Sequence, residues 1–120
     1  MALASQLQFG PHTNRQLGIT NAAITAAGTT NADATVMSAQ VTFYTLTATG
    51  SDGIKLASDT PLFTPIYIYN SSGSTGLLYP GTSISLNGGT ATTGTISLVT
   101  LKCAIVIRNT ATNYVVIFDA

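Results

Sequence analysis

The chain has very little charge. Only 7% of its 120 residues are charged, and glutamate is absent. Globular domains usually carry about a quarter of charged residues, so other side chains must supply the polar surface. Threonine, serine, asparagine and glycine do so, with 21, 10, 7 and 11 copies. Threonine favours strands and the other three favour turns, whereas the charged residues of solvated helices are nearly missing. The composition therefore indicates an all-β protein.

The formal net charge is +0, which narrows the range of partners. Four dispersed basic residues make no stripe that follows phosphates, so nucleic acid is not an expected partner. Small soluble domains usually keep a net charge of a few units, because repulsion suppresses association. Two interpretations remain: a neutral secreted or surface module, or a protein whose surface is covered in an assembly. We prefer the second.

Cysteine is nearly absent, and long apolar runs are missing. Cys103 is the single cysteine, so an intrachain disulfide and a cysteine-based metal site are both excluded. It lies in the apolar run CAIVI and is expected to be a small buried hydrophobic residue. No run reaches the roughly 18 apolar residues of a membrane helix, and the opening MALASQLQFG lacks the features of a signal peptide. We expect a chain made in the cytoplasm, soluble there, with no membrane partner.

The length of 120 residues fits one domain. Gly10-Pro11 interrupts regular structure, so residues 1–20 are predicted to form an extended N-terminal arm that orders on another surface. A disordered or locally packed terminus is the alternative. Residues 21–120 are predicted to form the β domain. The segment at the start of this domain, within residues 18–35, fits a short helix around residues 21–27 or an irregular strand, and the β-branched Ile24 and Thr25 favour the strand.

Alternating side chains predict the clearest strands. Residues 41–46 place apolar bulk on both faces, as in a sandwich interior or a subunit interface. Ile66 and Ile68 lie on one face of the next clear strand, with Tyr67 and Tyr69 on the other. Further strands are predicted at residues 54–57, 77–80, 83–86, 95–101, 103–108 and 114–118. About eight short strands at roughly ten-residue spacing predict a single-domain β-sandwich or barrel. Because helical crossovers and an internal repeat are lacking, neither a parallel sheet nor a solenoid is expected.

Residues suited to catalysis are few. His12 is the only histidine and lies in the predicted arm, with no neighbour that would make it a general base. The aspartates fall in turns or at the chain end, where their side chains cap backbone amides. A structural ion bound by Asp52 or Asp59 with backbone carbonyls is the remaining alternative. The glycine-rich stretches LNGG and SGSTG lack the lysine and helix of a phosphate loop. We therefore predict no catalytic, cofactor-binding or metal-binding residue, and a protein that is not an enzyme.

The tyrosines suggest a second kind of site. Tyr67, Tyr69, Tyr79 and Tyr114 fall on predicted strands, where aromatic rings stack on sugars or pack at interfaces. Tryptophan, the usual residue of sugar-binding faces, is absent. Packing in the core or at an interface is therefore the preferred interpretation, and carbohydrate binding is the alternative.

Six segments follow one another in a characteristic order: AAGTTNADAT (26–35), VTFYTLT (41–47), DGIKLA (52–57), IYIYNSSGSTGLLYPG (66–81), ISLNGG (84–89) and CAIVIR (103–108). From Gly28 onward, this order resembles small virion proteins of tailed bacteriophages. Tyr114 stands where such proteins often have tryptophan.

This resemblance implies a capsid decoration (cement) protein that binds between capsid subunits and stabilises the head. Its implied partners are the major capsid protein and itself, as a homotrimer, and its implied location is the virion. A head-fibre or tail-associated module that binds a receptor or glycan is the alternative that the resemblance allows.

Overall fold

The computed structural model describes residues 21–38, 41–50 and 52–118, and within them every regular element is a β-strand. The all-β prediction is confirmed, whereas the predicted arm at residues 1–20 lies outside the described residues. The strands are β1 (Asn21–Thr25), β2 (Thr35–Met37), β3 (Phe43–Thr47), β4 (Gly53–Leu56), β5 (Ile66–Asn70), β6 (Gly76–Tyr79), β7 (Ser85–Leu86), β8 (Ile96–Leu98), β9 (Cys103–Thr110) and β10 (Asn113–Phe118).

The first six strands alternate between two sheets. Strands β1, β3 and β5 pair in parallel in sheet A, and β2, β4 and β6 pair in parallel in sheet B. Each pair of consecutive strands is thus one coil of a solenoid-like stack. Asn21 lies opposite Phe43, 22 residues along the chain, and Phe43 lies opposite Tyr67, 24 residues further. One coil therefore takes about two dozen residues.

Several sequence-based expectations differ from this arrangement. The sandwich or barrel is not confirmed, and the described residues form ten strands where about eight were expected. The exclusions of a parallel sheet and of a solenoid were wrong. The first rested on the rule that parallel strands need a long crossover, usually a helix, and the second on the lack of an internal repeat of fixed period. Here the crossover from one sheet A strand to the next is itself a strand of sheet B, so no helix is needed.

The C-terminal third closes the stack with antiparallel strands. Strand β8 runs antiparallel to β6 in sheet B, and β9 runs antiparallel to β5 in sheet A. The hairpin partner β10 follows β9, and β7 pairs in parallel with the outer edge of β10. Sheet A has the order β1-β3-β5-β9-β10-β7, and sheet B has the order β2-β4-β6-β8.

A single apolar core lies between the sheets, because each strand turns alternate side chains inward. In β3, Tyr44 and Leu46 are buried, and in β5 the buried apolar residues are Ile66 and Ile68. The sequence placed each of these two pairs on one face of its strand, without deciding which face is buried. The residues of this core with the least exposure are Leu46, Ile54, Leu78, Val106 and Tyr114, all at 0%.

A loop of the first coil covers the outer face of sheet B. Within residues 28–34, Thr29 O accepts a hydrogen bond of 2.7 Å from the hydroxyl of Tyr79. Asn31 O accepts one of 2.5 Å from Nζ of Lys55. The Tyr79 ring lies on Gly53, where a Cβ atom would stand 2.3 Å from Cε2 of the ring. Glycine is therefore required at position 53 for this covering to form.

The first prediction concerns this contact. Gly53→Ala is expected to lower the free energy of unfolding by about 1–3 kcal/mol, because the added methyl group displaces a ring that is held by its hydroxyl. Gly73→Ala is the matched control, since no heavy atom lies within 4 Å of its added Cβ. We expect the control to change stability by less than about 0.5 kcal/mol. Chemical denaturation of both variants measures the difference, and equal stabilities would contradict the packing described.

Candidate functional site

The outer face of sheet A carries an apolar row across four strands. Cross-strand pairing places Phe43 beside Tyr67, Tyr67 beside Ile105, and Ile105 beside Ile117. The rings of Phe43 and Tyr67 stack with their centroids 6.4 Å apart. Because neighbouring strands lie about 4.8 Å apart, the row is about 15 Å long. Ile117 remains 50% exposed, so the end of the row is open to solvent.

Further uncharged residues flank this row on the same face. Tyr69 pairs with Cys103 on one side of it, and Ile107 pairs with Val115 on the other. All four are partly exposed. Cys103 is therefore half-buried on this face instead of fully buried as expected. We call the eight residues together the apolar face: Phe43, Tyr67, Tyr69, Cys103, Ile105, Ile107, Val115 and Ile117.

The apolar face carries no charge. The only charged residue in the strands of sheet A is Arg108, and it pairs with the inward-pointing Tyr114. Its guanidinium lies 5.9 Å from the centre of the Tyr114 ring. It also donates hydrogen bonds of 2.7 Å to Thr60 O and Ala111 O. The guanidinium is thus used to bind backbone carbonyls and leaves the outer face uncharged.

The tyrosines of the sequence analysis divide between two environments. Tyr67 and Tyr69 lie together on the apolar face, whereas Tyr79 and Tyr114 are buried, with exposed fractions of 6% and 0%. A sugar-stacking face of all four tyrosines is therefore wrong. Tyr79 could not be placed from the sequence, because the loop that covers it comes from about fifty residues earlier in the chain.

Two aspartates act as turn caps. Oδ1 of Asp33 accepts hydrogen bonds of 2.8 Å from the Thr30 amide and 2.6 Å from the Thr30 hydroxyl. Asp52 accepts the corresponding pair from Thr49. The hydrogen bonds from the Thr30 side chain and amide hold the pKa of Asp33 below its usual value. This is the capping role that the turn positions predicted.

The described residues contain no metal-binding cluster. Among them, no group of three or more histidine, cysteine, aspartate or glutamate side chains is placed to hold a metal ion. A pocket of about 250 Å³ lies beside the end of β4, and its only ionisable lining residue is Lys55. His12 lies outside the described residues. Within residues 21–118, where they are described, no helix is long and apolar enough to cross a membrane.

No protein-family model, curated protein or solved structure matches the chain. The candidate site is therefore described from its geometry alone.

The second prediction separates the two fully buried tyrosines of sheet A. The Tyr44 hydroxyl donates to Ser38 O at 3.0 Å, so Tyr44→Phe is expected to cost about 1 kcal/mol of stability. The Tyr114 hydroxyl makes no hydrogen bond of good geometry within the described residues, although Thr60 lies near enough to affect its pKa. Tyr114→Phe is therefore expected to be neutral or stabilising. Denaturation of both variants tests this, and a larger loss for Tyr114→Phe would contradict it.

As part of the second prediction, the same two tyrosines make the free energy of unfolding depend on pH in alkaline solution. Burial raises the pKa of Tyr44 and of Tyr114 above the ordinary value of 10.0. An acid whose pKa is higher in the folded state holds its proton longer there, so its contribution is complete below the unfolded pKa and is lost as pH rises through the folded one. The free energy of unfolding should fall above about pH 10. The double variant Tyr44→Phe/Tyr114→Phe should lose less stability over that range, and an unchanged slope would refute the assignment.

Proposed function

We propose that the chain is a structural protein of a phage virion, which decorates the capsid and stabilises the head by binding between its subunits. Its partners are the major capsid protein and further copies of itself in a homotrimer. The apolar face is the observation that carries the binding role, because it presents eight uncharged side chains of sheet A. The virion location rests on the resemblance of the sequence segments.

A flat apolar sheet face suits contact with another protein surface. Monomeric proteins rarely expose contiguous apolar patches larger than a few hundred Å² unless the patch is functional. Sheets pack face to face about 10 Å apart, with side chains interdigitating, and such packing needs no charged group. The contact surface of a standard interface is about 800 Å² per partner. Burial at about 25 cal/mol per Å² then provides a driving force that salt hardly screens.

Repetition strengthens such binding on a capsid. A homotrimer presents three apolar faces, and after the first one binds, the others bind in an effectively intramolecular step. A shell can therefore be reinforced by many weak contacts without covalent chemistry. We propose on this basis that the protein acts without catalysis, and that it needs no cofactor or metal ion for its role.

The third prediction tests the apolar face. Ile117→Lys places a charge at the exposed end of the apolar row and is expected to weaken capsid binding by at least about tenfold, a loss typical of an interface hot spot. Val99→Lys is the matched control, because Val99 is also an exposed apolar residue, at 45% against 50%, but lies in the loop after β8. The measurement is co-sedimentation with purified capsids, together with light scattering for the trimer.

Two results would count against the proposal. The first is a stable monomer that does not bind purified capsids. The second is equal binding by the two lysine variants, which would move the contact away from the apolar face. Strong salt dependence of binding would contradict the apolar mechanism specifically.

One observation favours a second function. Tyr67 and Tyr69 share the apolar face and are both partly exposed, as in a platform for sugar rings. A head-fibre or tail-associated module that binds a receptor glycan is therefore the alternative. It predicts glycan-array binding that Tyr69→Ala removes while Tyr79→Phe, at a buried ring, retains it. An array without binding would exclude this function and leave the decoration proposal intact.

A further inference from the structure

The first coil leaves both sheets open at the same end of the stack. Strand β1 pairs with β3, and β2 pairs with β4. On the other side of β1 and of β2, the described residues supply no partner strand. Two free edges, one from each sheet, therefore lie side by side.

These edges carry none of the side chains that protect natural edge strands against pairing. Such strands often contain lysine, proline or bulges, whereas β1 reads NAAIT and β2 reads TVM, and only the three-residue length of β2 limits pairing there. The Ala26 amide donates to Thr47 O of β3, so strand alternation turns the amides of Ala23 and Thr25 to the open side. Val36, at the centre of β2, is 56% exposed.

The opposite end of the stack does not match this one. Beyond the third coil, sheet A continues through β9, β10 and β7, whereas sheet B continues only through β8. The two edges there are offset by two strands, which is about 10 Å. An open end docked onto this closed end can pair only one of its two edges. Head-to-tail growth into a fibre, which needs a repeatable heterologous contact, is therefore disfavoured.

We propose that the open end binds the open end of a second copy of this chain around a two-fold axis. In this dimer β1 pairs antiparallel with the partner's β1, and β2 with the partner's β2. A single peptide strand can pair with only one of the two edges. A second copy of the chain supplies two edges at the same distance from each other, so it can pair with both. In an isologous contact each edge meets its own copy, so any charged residue on it would face a like charge and be repelled. Neither edge carries a charge, so this contact meets no such repulsion. The dimer interface is independent of the proposed function and of the apolar face.

The fourth prediction tests the open edge with Ala23→Pro. Proline removes an amide hydrogen that points away from β3, so the pairing within sheet A is kept while pairing across the dimer is lost. Ala23→Thr keeps the amide and is the matched control. Sedimentation equilibrium over a concentration series is expected to show that the smallest species of the control, whether a single chain or the proposed trimer, associates in pairs, and that this pairing is at least about tenfold weaker for the proline variant. Both are measured in the Ile117→Lys background, so that contacts of the apolar face do not contribute.

A second variant guards against misfolding caused by proline. Val36→Glu places a charge on each copy of β2 at the contact, where it faces Lys55 of β4 within its own chain, and should weaken the dimer while unfolding at a temperature no lower than that of Val99→Lys. Amide hydrogen exchange supplies an independent measurement, because protection of Ala23 and Thr25 should rise with protein concentration.

Three outcomes would overturn the dimer. They are a monomer at all concentrations with fast exchange at these amides, a monomer in which they are already protected by the chain's own upstream residues, and open-ended growth in place of a closed dimer. None of them bears on capsid binding, which the apolar face determines.

Discussion

The structure depends on the register with which each coil lies on the next. Side chains alternate along a strand, so the pairing of Leu46 with Ile24 on one side and Asn70 on the other fixes which residues enter the core. The same register aligns the outward side chains, and Phe43 and Tyr67 meet on the outer face for that reason. A slip of one residue would exchange the two faces. The apolar face is therefore not an independent feature, because the core register produces it.

Where strand pairing ends, asparagine side chains take its place. The buried Asn70 donates from Nδ2 to Ser74 O and Leu98 O, both at 2.8 Å, and its Oδ1 accepts from the Ser72 amide and hydroxyl. Asn87 continues β7 by one position, since its Oδ1 accepts from the Val116 amide at 2.8 Å. These neutral amides satisfy backbone groups that would otherwise be buried without partners, at a cost of about 1–3 kcal/mol each. The abundance of asparagine, serine and threonine is thus connected to the many corners of the stack.

The sequence predicts strands well and their arrangement poorly, for a physical reason. Alternation is local, so Phe43, Tyr44 and Ile68 are assigned to the correct faces from their neighbours alone. Parallel stacking depends on contacts between coils, and its trace in the sequence is faint: TAAG at residues 25–28 recurs as TATG at 47–50, but the third coil reads SSGS. The long connection also falls at different places in the two coils, at residues 26–34 between β1 and β2 and at residues 57–65 between β4 and β5, which obscures the period further. The sequence shows that the strand at residues 41–46 is apolar on both faces, so an outer apolar surface could be predicted. Its extent could not, because it depends on the order in which β3, β5, β9 and β10 lie side by side.

Several of the few charged side chains are bound within the chain itself. Lys55 binds the carbonyl of Asn31, Arg108 binds three backbone carbonyls, and Asp33 binds the amide of Thr30. Each of these charges serves to hold a loop, and none lies on the apolar face. Repulsion between molecules depends on net charge, which is +0 here, so little opposes association once two apolar surfaces meet. Such a surface is kept from indiscriminate aggregation when a specific partner covers it, because a shape-matched contact then removes the apolar area from water. Low charge, an uncharged sheet face and cations bound to the chain's own carbonyls therefore all support the proposal that the protein acts in contact with others.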